Sequence, residues 1–164
     1  AVAVRAKAFG MKLLADDPIW DEDFCGQCGI EKTDMETLLG ASDVVSLHLP
    51  LMEHTHHIIN EENIGKMKDG AILINAARGG LVDHEALYRA LKDQKILAYG
   101  ADVMEEEPPG DHPLFHLKNA YITPHIGANT LEASQNMMQT ALTNALDILE
   151  GKECKNIVNR FEDS

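Results

Sequence analysis

Residues 73–83 read LINAARGGLVD, and the fold turns on them. An apolar run stops at Arg78, Gly79 and Gly80 follow, and Asp83 begins a new pattern. In that pattern Leu87, Ala90 and Leu91 recur on one helical face, with Asp83 placed to cap the first turn. The segment therefore reads as strand, tight turn and amphipathic helix. The run is apolar throughout rather than alternating, which suits a strand covered on both faces of a parallel sheet. Two glycines after an arginine let the backbone turn sharply and leave room beside the guanidinium.

The same alternation extends in both directions. AVAVRAKAFG (1–10) has helical spacing and stops at Gly10, and MKLLADDP (11–18) is a short strand ending in two aspartates. DMETLLGAS (34–42) is a short helix with Asp34 as its cap, and DVVSLHLPL (43–51) is a strand broken by Pro50. NEENIGKMKDG (60–70) gives a turn or two of helix. ILAYGADV (96–103) and AYIT (120–123) are further strands, and a long helix follows Asn129 or Thr130. Alternating strands and helices predict an α/β fold, a Rossmann-like doubly wound and mostly parallel sheet. In such sheets ligands collect beyond the carboxyl ends of the strands.

The chain has 164 residues, 45% of them hydrophobic and 25% charged, which suits one globular domain. A net charge of −13 argues against a nucleic-acid or anionic membrane partner, since both call for clustered Lys and Arg. No apolar run reaches the length of a membrane span. Three cysteines, Cys25, Cys28 and Cys154, cannot all pair within one chain, so a reduced, cytoplasmic setting is expected.

The residues after each strand are chemically rich. Asp16 and Asp17 follow the first, His48 the next and Arg78 the third. Asp102, with Glu105, Glu106 and Glu107, and then His125 follow the last two. Arginine matches a carboxylate with a planar fork of donors. Histidine trades protons near neutral pH, and a carboxylate beside it stabilises the imidazolium. An anion anchor with a proton-trading pair suits the chemistry of 2-hydroxy and 2-keto acids.

INAARGGLVD, GADVMEEEPP and ITPHIGANT together resemble the signature segments of the NAD-dependent D-isomer-specific 2-hydroxyacid dehydrogenases. The branch with D-3-phosphoglycerate dehydrogenase and hydroxypyruvate reductase is the most similar. The resemblance implies that Arg78 binds the substrate carboxylate, that His125 is the acid–base on the substrate oxygen, and that Glu107 partners His125. It implies that Asp17 accepts hydrogen bonds from the adenosine ribose and favours NAD, with Asp102 near the nicotinamide. Leu49, Pro50, Ala76, Ala77, Arg78, His125 and Gly127 complete the cofactor groove on this reading. Glu105 and Glu106 are adjacent alternatives to Glu107, and Asp16 to Asp17.

The family's glycine fingerprint lies about 20 residues before its ribose acid. Counting back from Asp17 leaves the first strand and the glycine-rich loop outside this chain. Residues 1–164 are therefore expected to be a partial NAD-binding domain without its substrate domain. Alone, the chain is expected to bind NAD weakly and to turn nothing over, and its open sheet edge could pair with a second copy. A small 2-hydroxy or 2-keto acid is the expected partner, and a homo-oligomer the expected assembly. A non-catalytic, NAD-responsive corepressor-like scaffold of the same fold is the alternative.

Other features receive plainer readings. CGQC (25–28) lacks the second pair that a zinc site needs. HTHH (54–57) reads as a solvated helix start, and no metal is expected. His84, His112 and His116 show no partner pattern, and Met137 and Met138 read as core or interface.

Overall fold

In the computed structural model, which describes residues 1–157, the chain forms two compact units. The first, Ala1–Pro124, holds α1 (Val2–Ala8), β1 (Leu13–Ala15), α2 (Glu22–Cys28), β2 (Ile30–Lys32) and α3 (Met35–Ala41). It continues with β3 (Val44–Leu47), α4 (Glu61–Lys66), β4 (Ala71–Asn75), α5 (His84–Lys92), β5 (Ile96–Ala101) and β6 (Ala120–Ile122). Two short 3-10 turns, Gly79–Leu81 and Pro113–His116, join them. The second unit begins at His125 and carries α6 (Leu131–Leu149).

Every strand pairing is parallel, as the apolar runs predict. The strands fall into two sheets. β1 pairs with β2, and the other four run in the order β3-β4-β5-β6. The carboxyl ends of β3, β4, β5 and β6 therefore share one edge.

Local chemistry sets the element boundaries. Asp34, Asn60, Asp83 and Thr130 each accept a backbone N–H of the helix they precede. Asp83 accepts two, from Glu85 and Ala86, both at 3.0 Å. These contacts satisfy donors that have no partner inside the helix.

One face of the larger sheet forms the core. Val45 and Leu47, Ala71 and Leu73, and Tyr99 and Ala101 are buried there with Leu39, Ile64, Leu87 and Leu91 from α3, α4 and α5. The opposite face is more open: Val44 and Ser46 of β3 are exposed, and Ile72 and Ile74 of β4 are half-buried. The expectation of strands buried on both faces thus needs correction. Apolar composition reports what a strand can bury, while burial requires a helix on each side.

Four other expectations change. α2 and β2 lie in a stretch that apolar periodicity does not mark, although Asp21 as cap and Gly29 in left-handed geometry bound the helix clearly. HTHH is not a helix start: residues 53–57 form turns, His57 has a φ of +49°, and α4 begins at Glu61. Met137 and Met138 are exposed, which removes the core half of the reading as core or interface. His84, His112 and Phe115 pack edge to face, and His116 Nε2 lies 2.9 Å from Asp111 Oδ1, so all three histidines do have partners.

Candidate active site

The turn after β4 is built around Asn75, a fully buried polar side chain. Its Nδ2 donates to the Arg78 carbonyl at 2.9 Å, and its Oδ1 accepts from the Ala77 N–H at 3.1 Å. The last residue of the strand thereby folds the next three back on themselves. Arg78 leaves this turn in extended geometry, with its side chain exposed and Nη1 donating to the Ala77 carbonyl at 2.7 Å.

Gly79 makes the next step possible. A Cβ there would sit 2.0 Å from the Met104 carbonyl carbon and 2.3 Å from the Glu105 nitrogen. Only a hydrogen fits against that backbone. The arginine turn and the acidic segment after β5 are therefore in direct contact. Within that segment Glu107 accepts the Met104 N–H at 3.0 Å. Asp102 donates its N–H to the Asn75 carbonyl at 3.1 Å and accepts from the Thr123 hydroxyl at 2.5 Å. Arg78, Asp102 and Glu107 thus stand on connected turns at the carboxyl edge of β4 and β5.

The other positions divide. Leu49 and Ala77 pack against the core, while Pro50 and Ala76 are exposed. His48, after β3, lies 2.9 Å from the Ser46 hydroxyl. Asp17 follows β1, and its Oδ1 accepts the Ile19 N–H at 2.8 Å across Pro18. Its carboxylate is exposed, which suits hydroxyl donors such as a ribose diol and opposes a phosphate at the same place. His125 and Gly127 open the second unit, and His125 has a φ of +53°.

Two groups shape the ground beneath this edge. Burial pushes the Tyr99 hydroxyl up to about 12, with the Asn75 side chain pulling the other way. Burial also holds His84 below its ordinary value, and His112 acts in the same direction. Asn75 and Thr55 are the polar residues that sequence reading missed. Each sits in a stretch read for its apolar or charged neighbours, and the signal is a polar side chain at a strand end or loop bend with no place in the helix or strand pattern.

A parallel α/β sheet with an arginine, carboxylates and a histidine following its carboxyl ends defines a Rossmann-like domain. Residues 1–127 match the family model described as D-isomer specific 2-hydroxyacid dehydrogenase, NAD binding domain. The chain belongs to that family. It is 45% identical over 161 residues to a glyoxylate reductase of Korarchaeum cryptofilum, covering 98% of this chain and 48% of that protein. It is 50% identical over 139 residues to a hydroxypyruvate reductase of Thermotoga maritima, covering 83% of this chain and 44% of the relative. A crystal structure of D-lactate dehydrogenase from Aquifex aeolicus complexed with NAD and lactic acid superimposes with a TM-score of 0.85 at 38% identity. That match covers 92% of this chain and 50% of the other. The chain spans about half the length of the first relatives it matches.

Proposed function

We propose that this chain is the NAD-binding half of an oxidoreductase acting on a 2-hydroxy acid and 2-keto acid pair. The observation that carries the reading is the Asn75-stapled turn, which presents an exposed Arg78 fork at the carboxyl edge of β4. A solvent-facing guanidinium on an extended backbone can take a substrate carboxylate with two parallel hydrogen bonds. That contact orients the neighbouring carbonyl or hydroxyl carbon.

His125 is the residue we assign to hold and return the proton at the substrate oxygen, with Glu107 stabilising its charged form. Glu105, one of the two alternatives to Glu107, is engaged with His57 at 3.0 Å, which favours Glu107 over it for that role. Asp17 would hold the adenosine ribose of NAD, and Leu49, Pro50, Ala76, Ala77, Asp102 and Gly127 would line the rest of its groove. When bound, the nicotinamide supplies or accepts the hydride. Among the described residues no helix is long and apolar enough to cross a membrane. We place the protein in the cytoplasm and expect it to form a homo-oligomer.

The test is an NADH oxidation assay on the full-length protein that contains this chain, with glyoxylate, hydroxypyruvate and phosphohydroxypyruvate. Turnover of at least one is expected. Arg78→Met should lower kcat/KM by about a hundredfold, since charge-assisted bonds contribute about 1.5–3 kcal/mol each. NADH binding without oxidation in the presence of any of the three acids would overturn the enzymatic reading in favour of a scaffold.

A further inference from the structure

The segment read as HTHH carries an arrangement that the dehydrogenase reading does not use. His57 Nε2 lies 3.0 Å from Glu105 Oε1, and His56 Nε2 lies 3.4 Å from the same oxygen. The two imidazoles stack, with centroids 3.8 Å apart and planes 25° apart. The three donor atoms all fall within 4.8 Å of one another. Glu105 comes from the loop after β5, 48 residues from His57.

We propose that His56, His57 and Glu105 form a binding site for one divalent transition-metal ion of the zinc class. The two separations from Glu105, 3.0 and 3.4 Å, fit the geometry. Nitrogen and oxygen ligands about 2.0–2.1 Å from a tetrahedral ion lie about 3.3 Å from each other. A shared carboxylate oxygen can satisfy both rings without a metal only if each presents an N–H. A dication between neutral rings and a carboxylate uses the lone pairs of all three.

The loops that carry these donors are held independently of any ion. The buried Thr55 hydroxyl accepts the Met52 N–H and donates to the Pro50 carbonyl, both at 2.7 Å. The His57 N–H donates to the Gly80 carbonyl at 2.8 Å, fixing the left-handed residue against the glycine pair. Glu105 is fixed from the other side, where its backbone nitrogen packs on Gly79. The donor atoms are thus brought together by the same turn that presents Arg78.

Charge and access agree. The chain carries a net charge of −13, which attracts cations. The side chains of His56, His57 and Glu105 are 51%, 33% and 38% exposed, so the ion keeps at least one position open to water or a small anion. An open hollow of about 430 Å³, lined by Leu51, Met52, Glu53 and His56, gives the hydrated ion its approach. This site takes borderline ions bound by imidazole and carboxylate, with three protein ligands and an open position rather than the four of a closed structural site.

The experiment uses the chain without a histidine tag, titrated with Co2+ and Zn2+ by calorimetry and absorption. One equivalent with micromolar affinity is expected, without the near-ultraviolet charge-transfer band of a thiolate ligand. His56→Ala, His57→Asn and Glu105→Gln should each weaken binding about tenfold or more, while His54→Ala and His116→Ala leave it unchanged. Asn tolerates the left-handed backbone at position 57, so that variant isolates the lost ligand. Paramagnetic broadening of the His56 and His57 ring resonances by Co2+ in the unsubstituted chain reads the site without any variant. The proposal is overturned by no binding, by unchanged affinity in all three variants, by a thiolate band pointing to Cys25 and Cys28, or by broadening confined to other histidines.

Discussion

The strand–turn–helix segment Ala71–Lys92 and the helix Leu131–Leu149 teach different lessons from similar composition. α5 has five buried residues, with Leu87 fully buried and Leu91 nearly so. α6 is twice as long and more apolar, yet none of its residues is buried. Leu131, Met138, Leu142 and Leu149 are all more than 60% exposed. An apolar stripe states that a helix can pack. Whether a partner lies against it is decided by what surrounds the helix, and α5 has α4, β5 and the Pro113–His116 turn beside it.

The contrast can be broken or sharpened by substitution. The largest effect is expected at the entrance to α5. Gly79→Ala should cost more than the ~1–3 kcal/mol typical of overpacking, because the atoms it strikes are backbone and cannot rotate away. Urea unfolding of the chain measures this, and a loss below ~1 kcal/mol would show that the turn yields easily. Leu87→Ala comes next, at about 2–5 kcal/mol for a fully buried leucine. Asp83→Ala removes the acceptor for two helix N–H groups and should cost about 1 kcal/mol. Met138→Gln on α6 should change stability by less than about 0.5 kcal/mol, as at other surface sites. A cost at Met138 equal to that at Leu87 would erase the difference between the helices.

The last comparison is with pH. His84 opens α5, and burial lowers its proton affinity below the ordinary 6.5. The unfolded chain therefore takes up a proton near 6.5 where the folded chain does not. Stability from this group is fully present above pH 6.5 and declines as pH falls toward the folded value. His84→Gln should flatten the fall in melting temperature between about pH 7 and pH 5. An unchanged slope in the variant would mean that other groups carry the acid sensitivity.

Much of this was legible in the residues alone. LINAARGGLVD gave strand, turn and helix, and Asp83 took up its cap as the pattern required. The parallel pairing followed from apolar strands alternating with helices. Arg78, Asp102 and the run Glu105–Glu107 could be named from their places after β4 and β5, because chain order fixes which residues follow a strand, while the choice of Glu107 within the run rested on the family resemblance. Less was legible where the signal is polar or non-local. Asn75 and Thr55 hold the loops through side-chain hydrogen bonds that have no periodicity. The pairing of Glu105 with His57 spans 48 residues, and no local pattern reports it.

The sequence by itself determined the order of elements outside the α2–β2 stretch, the parallel fold class and the family, since these rest on short-range periodicity, caps and contiguous motifs. Only the tertiary structure decided which apolar faces are covered and which glutamate of the Glu105–Glu107 run meets the histidines of the 54–57 turn. It also decided why residue 79 has no side chain. Those outcomes depend on chain segments distant in sequence being brought within a few ångströms, and such proximity is a property of packing.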